Sequence, residues 1–199
     1  MYDASEYSAL RSGALLLDRS DRLRIRFGGP RAAELLTGLV TNDVLSLQPG
    51  HGQYAAALTP KGKIAADIRL FADQDGILTD TSARASQNWR DIVTKYVNPR
   101  VAPYRDVTAE TKDIGVFGPK ARHLVASVTH ADPVALGALH PYAHISADLP
   151  TGRMVKSGAT FPMSTSGGGG GATGAVAGAA AGAWAFAAAA KTRKATAAR

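Results

Sequence analysis

The chain has 199 residues, a formal net charge of +7 and no cysteine, which excludes disulfides, thiolate catalysis and cysteine-bound zinc within it. More than half of the net positive charge lies in residues 191–199. Elsewhere Lys and Arg are interspersed with Asp and Glu, without the basic, aromatic-rich stripe typical of nucleic-acid binders.

The first predicted elements are a strand and a helix. Apolar residues alternate with arginines over 23–27, which predicts a strand. Pro30 suits the first turn of a helix, and apolar residues at helical spacing extend that helix over 32–40. The tripeptide 41–43 (Thr-Asn-Asp) ends it, because short polar side chains favour turns.

A β-hairpin follows, then a longer helix. The hairpin pairs 53–58 with 64–71 around a turn that contains Pro60 and Gly62. The other predicted elements are a strand over 77–80, a helix over 83–97 that ends before Pro99, and strands over 101–104 and 113–117. Together they predict an α+β fold of antiparallel sheets flanked by helices across residues 1–156.

One pattern occurs twice: a strand runs through a Gly-Pro step, at residues 29–30 and at 118–119, into an amphipathic helix. This is either a common strand-to-helix turn or a sign of two related α+β modules. In the second interpretation the modules are 1–50 plus 107–156, and 51–106.

The C-terminal segment 157–199 differs in composition from the rest of the chain. It contains no charged residue before Lys191 and consists mostly of Gly and Ala. Because Gly and Ala supply little transfer free energy, we expect no membrane helix. The segment is expected to be either a disordered tail or the product of a shifted reading frame. The N-terminus lacks the basic and apolar regions of a signal peptide, so we expect a cytoplasmic protein.

Asp67 is the main candidate for chemistry. Strand alternation places it on one face with Arg69 and Phe71, opposite an apolar face. A buried, unpaired carboxylate is costly. Asp67 therefore either pairs with Arg69 on a solvated face, which contributes little, or accepts N–H groups of a planar heterocycle that stacks on Tyr54 of the partner strand.

The remaining polar candidates have structural interpretations. Asn42 fits a turn, and Asp80 fits a cap of the helix that follows it. Two histidines, at 140 and 144, have helical spacing, but Pro141 argues against the helix that would align them on a metal. We therefore expect no metal site.

Several short motifs follow one another in order: Gly-Ala-Leu-Leu-Leu-Asp-Arg-Ser (13–20), Gly29-Pro30-x-Ala32, Leu-Val-Thr-Asn-Asp-Val (39–44), Gly52-x-Tyr54, Gly62-Lys63-x-x-x-Asp67 and the second Gly-Pro element at 114–121. Together they resemble the N-terminal folate-binding region of the glycine-cleavage T-protein and YgfZ superfamily. The resemblance covers residues 7–128.

The resemblance implies tetrahydrofolate as the bound molecule. Asp67 matches a carboxylate near the pterin nitrogens that promotes one-carbon transfer, and Tyr54 matches an aromatic residue of the folate pocket. Leu78 matches an apolar residue of the pocket lining, and Asp80 stands where the family usually has Asn. Asn42, within the 39–44 motif, is also expected to contact the cofactor.

The choice of branch depends on two short segments. Residues 18–22 (Asp-Arg-Ser-Asp-Arg) replace the Ser-His-Met run of aminomethyltransferases, and 61–63 (Lys-Gly-Lys) look YgfZ-like. They favour a YgfZ-like protein that supports iron–sulfur cluster assembly or repair, with iron–sulfur proteins as partners. The enzyme alternative is a tetrahydrofolate-dependent aminomethyltransferase that works with a lipoyl carrier protein. The third alternative is a truncated, inactive domain, because the C-terminal signatures of both branches are missing.

Overall fold

The computed structural model describes residues 4–149, 152–160 and 181–188, with side chains over 5–146. The helices are α1 (Ala4–Ser12), α2 (Ala32–Thr37), α3 (Ser86–Tyr96), α4 (Ala121–Thr129) and α5 (Pro133–Ala138), and a 3-10 turn (Ala83–Ala85) precedes α3. The strands are β1 (Leu15–Asp18), β2 (Leu23–Phe27), β3 (Gly52–Leu58), β4 (Ile64–Asp73), β5 (Gly76–Thr81), β6 (Tyr104–Asp106), β7 (Thr111–Phe117), β8 (Ala143–Leu149), β9 (Gly152–Thr160) and β10 (Ala181–Ala188).

The strands form two five-stranded sheets. The first has the order β1-β7-β10-β9-β8 and the second has the order β3-β4-β5-β2-β6. Neighbouring strands in both sheets pair antiparallel. The predicted α+β class with antiparallel sheets and flanking helices is therefore confirmed.

Helices α2 and α3 cover one face of the second sheet. The apolar residues that alternate along β2, β3 and β4 point to this face and form the main core with Leu36, Trp89 and Val93. Trp89 is fully buried, and its indole Nε1 donates a hydrogen bond to Thr79 Oγ1 at 3.1 Å. The opposite face of the sheet carries most of the polar side chains, together with a small apolar cluster around Phe71 and Leu78.

Two predicted elements have different bounds in the structure. Helix α2 ends at Thr37, before the expected residue 40, and the chain turns at Gly38. The strand predicted over 101–104 is wrong up to residue 103, because the amides of Val101 and Ala102 both donate to the Asn98 carbonyl in a turn. Strand β6 begins only at Tyr104, beyond Pro103.

Both Gly-Pro steps lead into helices, as predicted. Gly29 and Gly118 have φ values of 84° and 110°, and α2 and α4 begin three residues after them. A Cβ at Gly118 would lie 2.7 Å from the Gly13 carbonyl oxygen, so this close approach requires glycine. The division into modules stays a prediction, and Leu23–Phe27, which it assigns to the first module, pairs with β5 and β6.

Part of the Gly/Ala-rich segment is ordered as strands. Residues 157–160 complete β9, and β10 lies between β7 and β9. Antiparallel pairing on both edges of β10 depends on backbone groups and not on side-chain composition, which is how Gly and Ala residues can form this strand. The expectation of a disordered or frame-shifted segment over 157–199 stays a prediction. Residues 161–180 and 189–199 lie outside the described part of the chain. Within the described part, no helix is long and apolar enough to cross a membrane.

Candidate functional site

The polar face of the second sheet carries its side chains in cross-strand rows. One row contains Tyr54, Arg69, Asp80 and Arg24, which pair in succession across β3, β4, β5 and β2. Asp67 lies one row away, opposite Ala56. The predicted alternation is confirmed, since the intervening residues of β4 belong to the apolar core.

Asp67 is partly exposed and is held by Thr81, the last residue of β5, and by Ser82 directly after it. The Ser82 hydroxyl donates to Asp67 Oδ1 at 3.2 Å, and the Thr81 hydroxyl donates to the Asp67 carbonyl at 2.5 Å. Asp67 Oδ2 accepts no hydrogen bond from any residue that the structure describes. Of the two alternatives for Asp67, the surface ion pair with Arg69 does not form, because the Arg69 guanidinium is buried and binds Asp80 and Asp113.

An aromatic pair lies beside Asp67. The Tyr54 side chain is 50% exposed, and its ring stacks on Tyr142 with 6.5 Å between centroids and 24° between planes. Tyr54 and Asp67 are diagonal neighbours on adjacent strands, which places them about 7 Å apart. Tyr142 was missed in the sequence, where no periodic pattern connects it with β3. It comes from the turn before β8 and packs against Phe71 and Leu78.

Asn42 is hydrogen-bonded to β3, the strand that carries Tyr54. Its Nδ2 donates to the Tyr54 carbonyl at 3.2 Å, while Thr41 exchanges hydrogen bonds with the backbone of Ala56. The 41–43 turn therefore runs along the outer edge of β3. Asn42 is exposed next to Tyr54, so the structure brings Asn42, Tyr54 and Asp67 to one end of the sheet.

Leu78 and Asp80 lie in the same sheet but are buried. Leu78 packs with Phe71 and Val107, and Asp80 is 0% exposed. The predicted helix cap at Asp80 is wrong, because its carboxylate accepts hydrogen bonds from Arg22 Nε at 2.8 Å and Arg69 Nε at 2.6 Å. Neither side chain presents a surface to a ligand in this arrangement.

Asp113 joins these residues from the other sheet. Arg22, Arg69, Asp80 and Asp113 form what we call the inter-sheet cluster, in which Arg69 Nη2 lies 3.1 Å from Asp113 Oδ2. Asp113 Oδ1 is buried and has no hydrogen-bond partner among the described residues. Burial raises the pKa of Asp113, and the nearby Arg69 only partly offsets this effect. The sequence could not indicate this member, which lies 44 residues beyond Arg69.

Arg22 lies at the edge of the inter-sheet cluster and is 12% exposed. Its Nε and Nη2 both bind Asp80, Nη2 at 2.7 Å. Burial lowers the pKa of Arg22, but hydrogen bonding to Asp80 and the charges of Asp80, Asp113 and Asp67 outweigh it, and the net shift is upward. In contrast, burial and the charge of Arg69 lower the pKa of Arg19 to about 10.

The arrangement combines an oriented carboxylate with the exposed ring of Tyr54, stacked on the partly buried Tyr142. This suits a flat, nitrogen-containing ring that donates hydrogen bonds. Within the described residues, no group of three or more His, Asp or Glu could hold a metal ion.

Comparison with known proteins identifies the family. Residues 2–154 match the GCVT N-terminal domain, and the chain therefore belongs to that family. An aminomethyltransferase of Desulforamulus reducens is 31% identical over 130 residues, which cover 64% of this chain and 35% of that protein. The chain spans only about a third of the length of such curated relatives.

Two solved structures share the fold. Glycine cleavage system aminomethyltransferase T from Bartonella henselae matches with a TM-score of 0.69 and 16% identity, covering 91% of this chain and 44% of that chain. Heterotetrameric sarcosine oxidase from Corynebacterium sp. U-96 matches with a TM-score of 0.58 and 12% identity, covering 93% of this chain and 82% of that chain. The fold is thus that of the T-protein superfamily, as the sequence motifs predicted.

Proposed function

We propose that this chain is the folate-binding part of a T-protein-like aminomethyltransferase that acts on tetrahydrofolate. The observation that carries the proposal is the partly exposed Asp67 carboxylate beside the Tyr54–Tyr142 pair. The family match and the aminomethyltransferases among its relatives support the same activity. They favour this branch over the YgfZ-like iron–sulfur function that the segments 18–22 and 61–63 favoured.

The chemistry of the proposed site follows from its two parts. The pterin ring of tetrahydrofolate is flat and carries N–H groups, so it can stack on Tyr54 and donate to Asp67 Oδ2. Positive charge develops on a pterin nitrogen as it takes up the one-carbon unit. A fixed anion stabilises that charge, and Ser82 holds the Asp67 carboxylate in one orientation for this purpose.

The proposed reaction also needs a donor of the one-carbon unit. We propose a lipoyl carrier protein that bears an aminomethyl group, and a cytoplasmic location. Iron–sulfur proteins as partners, and an inactive domain, remain the alternatives from the sequence, with no further support.

Replacing Asp67 with Asn tests the proposal. We expect Asp67→Asn to lower the rate of aminomethyl transfer by about 100-fold to 1,000-fold, because the transition-state charge loses its counter-ion. The affinity for tetrahydrofolate should change by less than about tenfold, since an amide oxygen can still accept a hydrogen bond. Ammonia release from the aminomethyl-lipoyl carrier measures the rate, and titration calorimetry measures the affinity.

Asp91→Asn is the matched control. Asp91 is an exposed carboxylate on α3 that accepts a hydrogen bond from Gln87 at 2.8 Å, and its replacement should leave both quantities unchanged. An unchanged transfer rate in Asp67→Asn would exclude the role of Asp67. Failure of the wild-type chain to bind tetrahydrofolate would exclude the proposed function itself.

A further inference from the structure

One guanidinium nitrogen of Arg22 makes no hydrogen bond to any residue that the structure describes. Nε and Nη2 are occupied by Asp80, and Nη1 makes no hydrogen bond to any described residue. Because the guanidinium is planar and two nitrogens on one side face Asp80, Nη1 points away from that carboxylate. A fixed donor is therefore left at the edge of the inter-sheet cluster.

Strand register places Arg22 in the same row as Asp67. Leu23 of β2 and Ile68 of β4 both lie opposite Thr81 of β5. One position further along, Arg22 and Asp67 flank Ser82, whose hydroxyl binds Asp67 Oδ1. With about 4.8 Å between neighbouring strands, the backbones of Arg22 and Asp67 are about 10 Å apart. The Arg22 side chain is long enough to span part of that distance, so the guanidinium can lie closer to Asp67 than the backbone does.

We propose that Arg22 and Asp67 together read one edge of the ligand ring. In this arrangement Arg22 Nη1 donates a hydrogen bond to a ring carbonyl, while Asp67 Oδ2 accepts one from the neighbouring ring N–H. Arg22 is then a specificity-determining residue for a lactam-type ring, and the inference rests on the proposed function because it takes the ring to be a pterin.

The pterin of tetrahydrofolate has the matching edge. Its C4 carbonyl is bonded to N3 and lies next to N5–H across the ring-fusion carbon. In the proposed pose Asp67 accepts from N5–H and Arg22 donates to the carbonyl, and the N5–H group is common to both ligands of the test below. The ion pair with Asp80 fixes the Arg22 guanidinium before the ligand arrives, so little side-chain entropy is lost on binding. The neighbouring row supplies Tyr54, on which the same ring would stack.

The test compares two ligands that differ at this edge. Tetrahydroaminopterin carries an amino group where tetrahydrofolate has the ring carbonyl, so it offers a donor to Arg22 where an acceptor is needed. We expect the wild-type 199-residue chain to bind tetrahydrofolate about tenfold to 100-fold more tightly, as measured by anaerobic titration calorimetry. In Arg22→Met the two affinities should come within about twofold of each other.

A second variant covers the case in which Arg22→Met does not fold. Arg22→Lys keeps a cation against Asp80 but has a single nitrogen, so the carbonyl donor is lost while the buried carboxylate stays paired. It should lose the same selectivity. Arg31→Met, at an exposed arginine paired with Glu34 on the surface, should keep it.

The outcomes separate the two proposals. If the wild-type chain binds tetrahydrofolate but Arg22→Lys weakens both ligands equally, the role of Arg22 is overturned and the proposed function stands. If wild type binds tetrahydrofolate and shows no preference between the ligands, the proposal that Arg22 and Asp67 together recognise the ring edge is likewise overturned. If wild type binds neither ligand, the proposed function falls, and this inference falls with it.

Discussion

Asp80 and Asp113 are both completely buried, yet their carboxylates are held in different ways. Asp80 is bound by Arg22 and Arg69 on both of its oxygens. Asp113 has one oxygen near Arg69 and a second oxygen with no hydrogen-bond partner among the described residues. A buried ionised carboxylate needs all of its acceptor sites satisfied, so the two aspartates carry their charge at different cost.

We therefore expect the two Asp→Asn substitutions to differ in stability. Asp80→Asn should lower the free energy of unfolding by about 3–5 kcal/mol, because two buried arginines lose their counter-ion. Asp113→Asn should cost less than half as much, because an amide oxygen can keep the bond to Arg69. Urea unfolding at neutral pH measures both variants. Equal losses would contradict the inference that Asp80 depends more on its hydrogen bonds than Asp113 does.

The pH dependence of Asp113→Asn gives a second check. Burial raises the pKa of Asp113 above the value of 3.8 for the free side chain. The folded protein then holds a proton that the unfolded chain releases. The resulting stabilisation is complete below about pH 4 and is lost as the pH rises through the folded pKa.

Accordingly, the free energy of unfolding of wild type, taken relative to Asp113→Asn, should fall as the pH is raised from about 4 to 7. Urea unfolding of the two proteins across this range gives the difference. A difference that grows with pH would mean that the folded state favours the ionised form of Asp113.

The contacts of individual side chains were less predictable from the sequence than the positions of whole helices and strands. The face that carries Asp67 followed from alternation along a single strand, which is local information. The partner of Arg69 did not, because Asp113 comes from another sheet and Asp80 outcompetes Asp67 for the guanidinium. The same holds for Tyr142, which reaches Tyr54 only through packing of the two sheets.

At the scale of elements, the hairpins follow from their turn residues. Gly62 in the β3–β4 turn and Gly76 at the start of β5, directly after the β4–β5 turn, have φ values of 74° and 127°. Nothing lies within 4 Å of a Cβ added at Gly62, whereas a Cβ at Gly76 would collide with the Phe27 carbonyl of the adjacent β2. A side chain at Gly62 would therefore strain only the backbone conformation, whereas a side chain at Gly76 would also disturb the packing of β5 against β2.

This difference predicts unequal effects of alanine at the two glycines. Gly62→Ala should cost about 1 kcal/mol, the penalty of a left-handed conformation for a residue with a Cβ. Gly76→Ala should cost about 3 kcal/mol or more, because β2 must also shift away from β5. Chemical denaturation of the two variants checks the prediction. Similar costs would indicate that the β2–β5 contact is adaptable.

Strands with a strong alternation of apolar and polar residues were predictable from the sequence. A strand whose position depends on backbone pairing with its neighbours was not. The strands over 23–27 and 77–80 and the hairpin strands 53–58 and 64–71 lie where they were expected, within two residues. Strand β10, rich in Ala and Gly, carries no such pattern, and its position depends on the free edges of β7 and β9. Its neighbours therefore matter more than its own composition.

At the scale of the whole molecule, the contacts between the two sheets include, among the described residues, two unlike patches. The inter-sheet cluster forms one patch. The other is aromatic and contains Phe71, Tyr142 and His144, with the His144 ring edge-on to Phe71 at 5.7 Å. The proposed ligand site lies where the exposed end of the second sheet meets this aromatic patch, so its shape depends on how the sheets are held together. We therefore expect titratable groups within the two patches to make the contact between the sheets depend on pH.

His144 makes that coupling measurable. It is 4% exposed, and neither ring nitrogen has a hydrogen-bond partner among the described residues. Burial lowers the pKa of His144 below 6.5, and the nearby backbone of Tyr142 and the charge of Asp73 only partly oppose this shift. The folded state thus keeps the ring neutral, whereas the unfolded chain takes up a proton below about pH 6.5, and stability is lost as the pH falls.

We expect the free energy of unfolding of wild type to fall between pH 7 and 5 relative to that of His144→Leu, which fills a similar volume and cannot titrate. His140→Leu is the control, since His140 is exposed in the same segment and its loss should not change the slope. Urea unfolding at several pH values gives the differences. Parallel curves for wild type and His144→Leu would mean that the aromatic patch accommodates the charged ring without loss of stability. His144 would then not couple the contact between the sheets to pH.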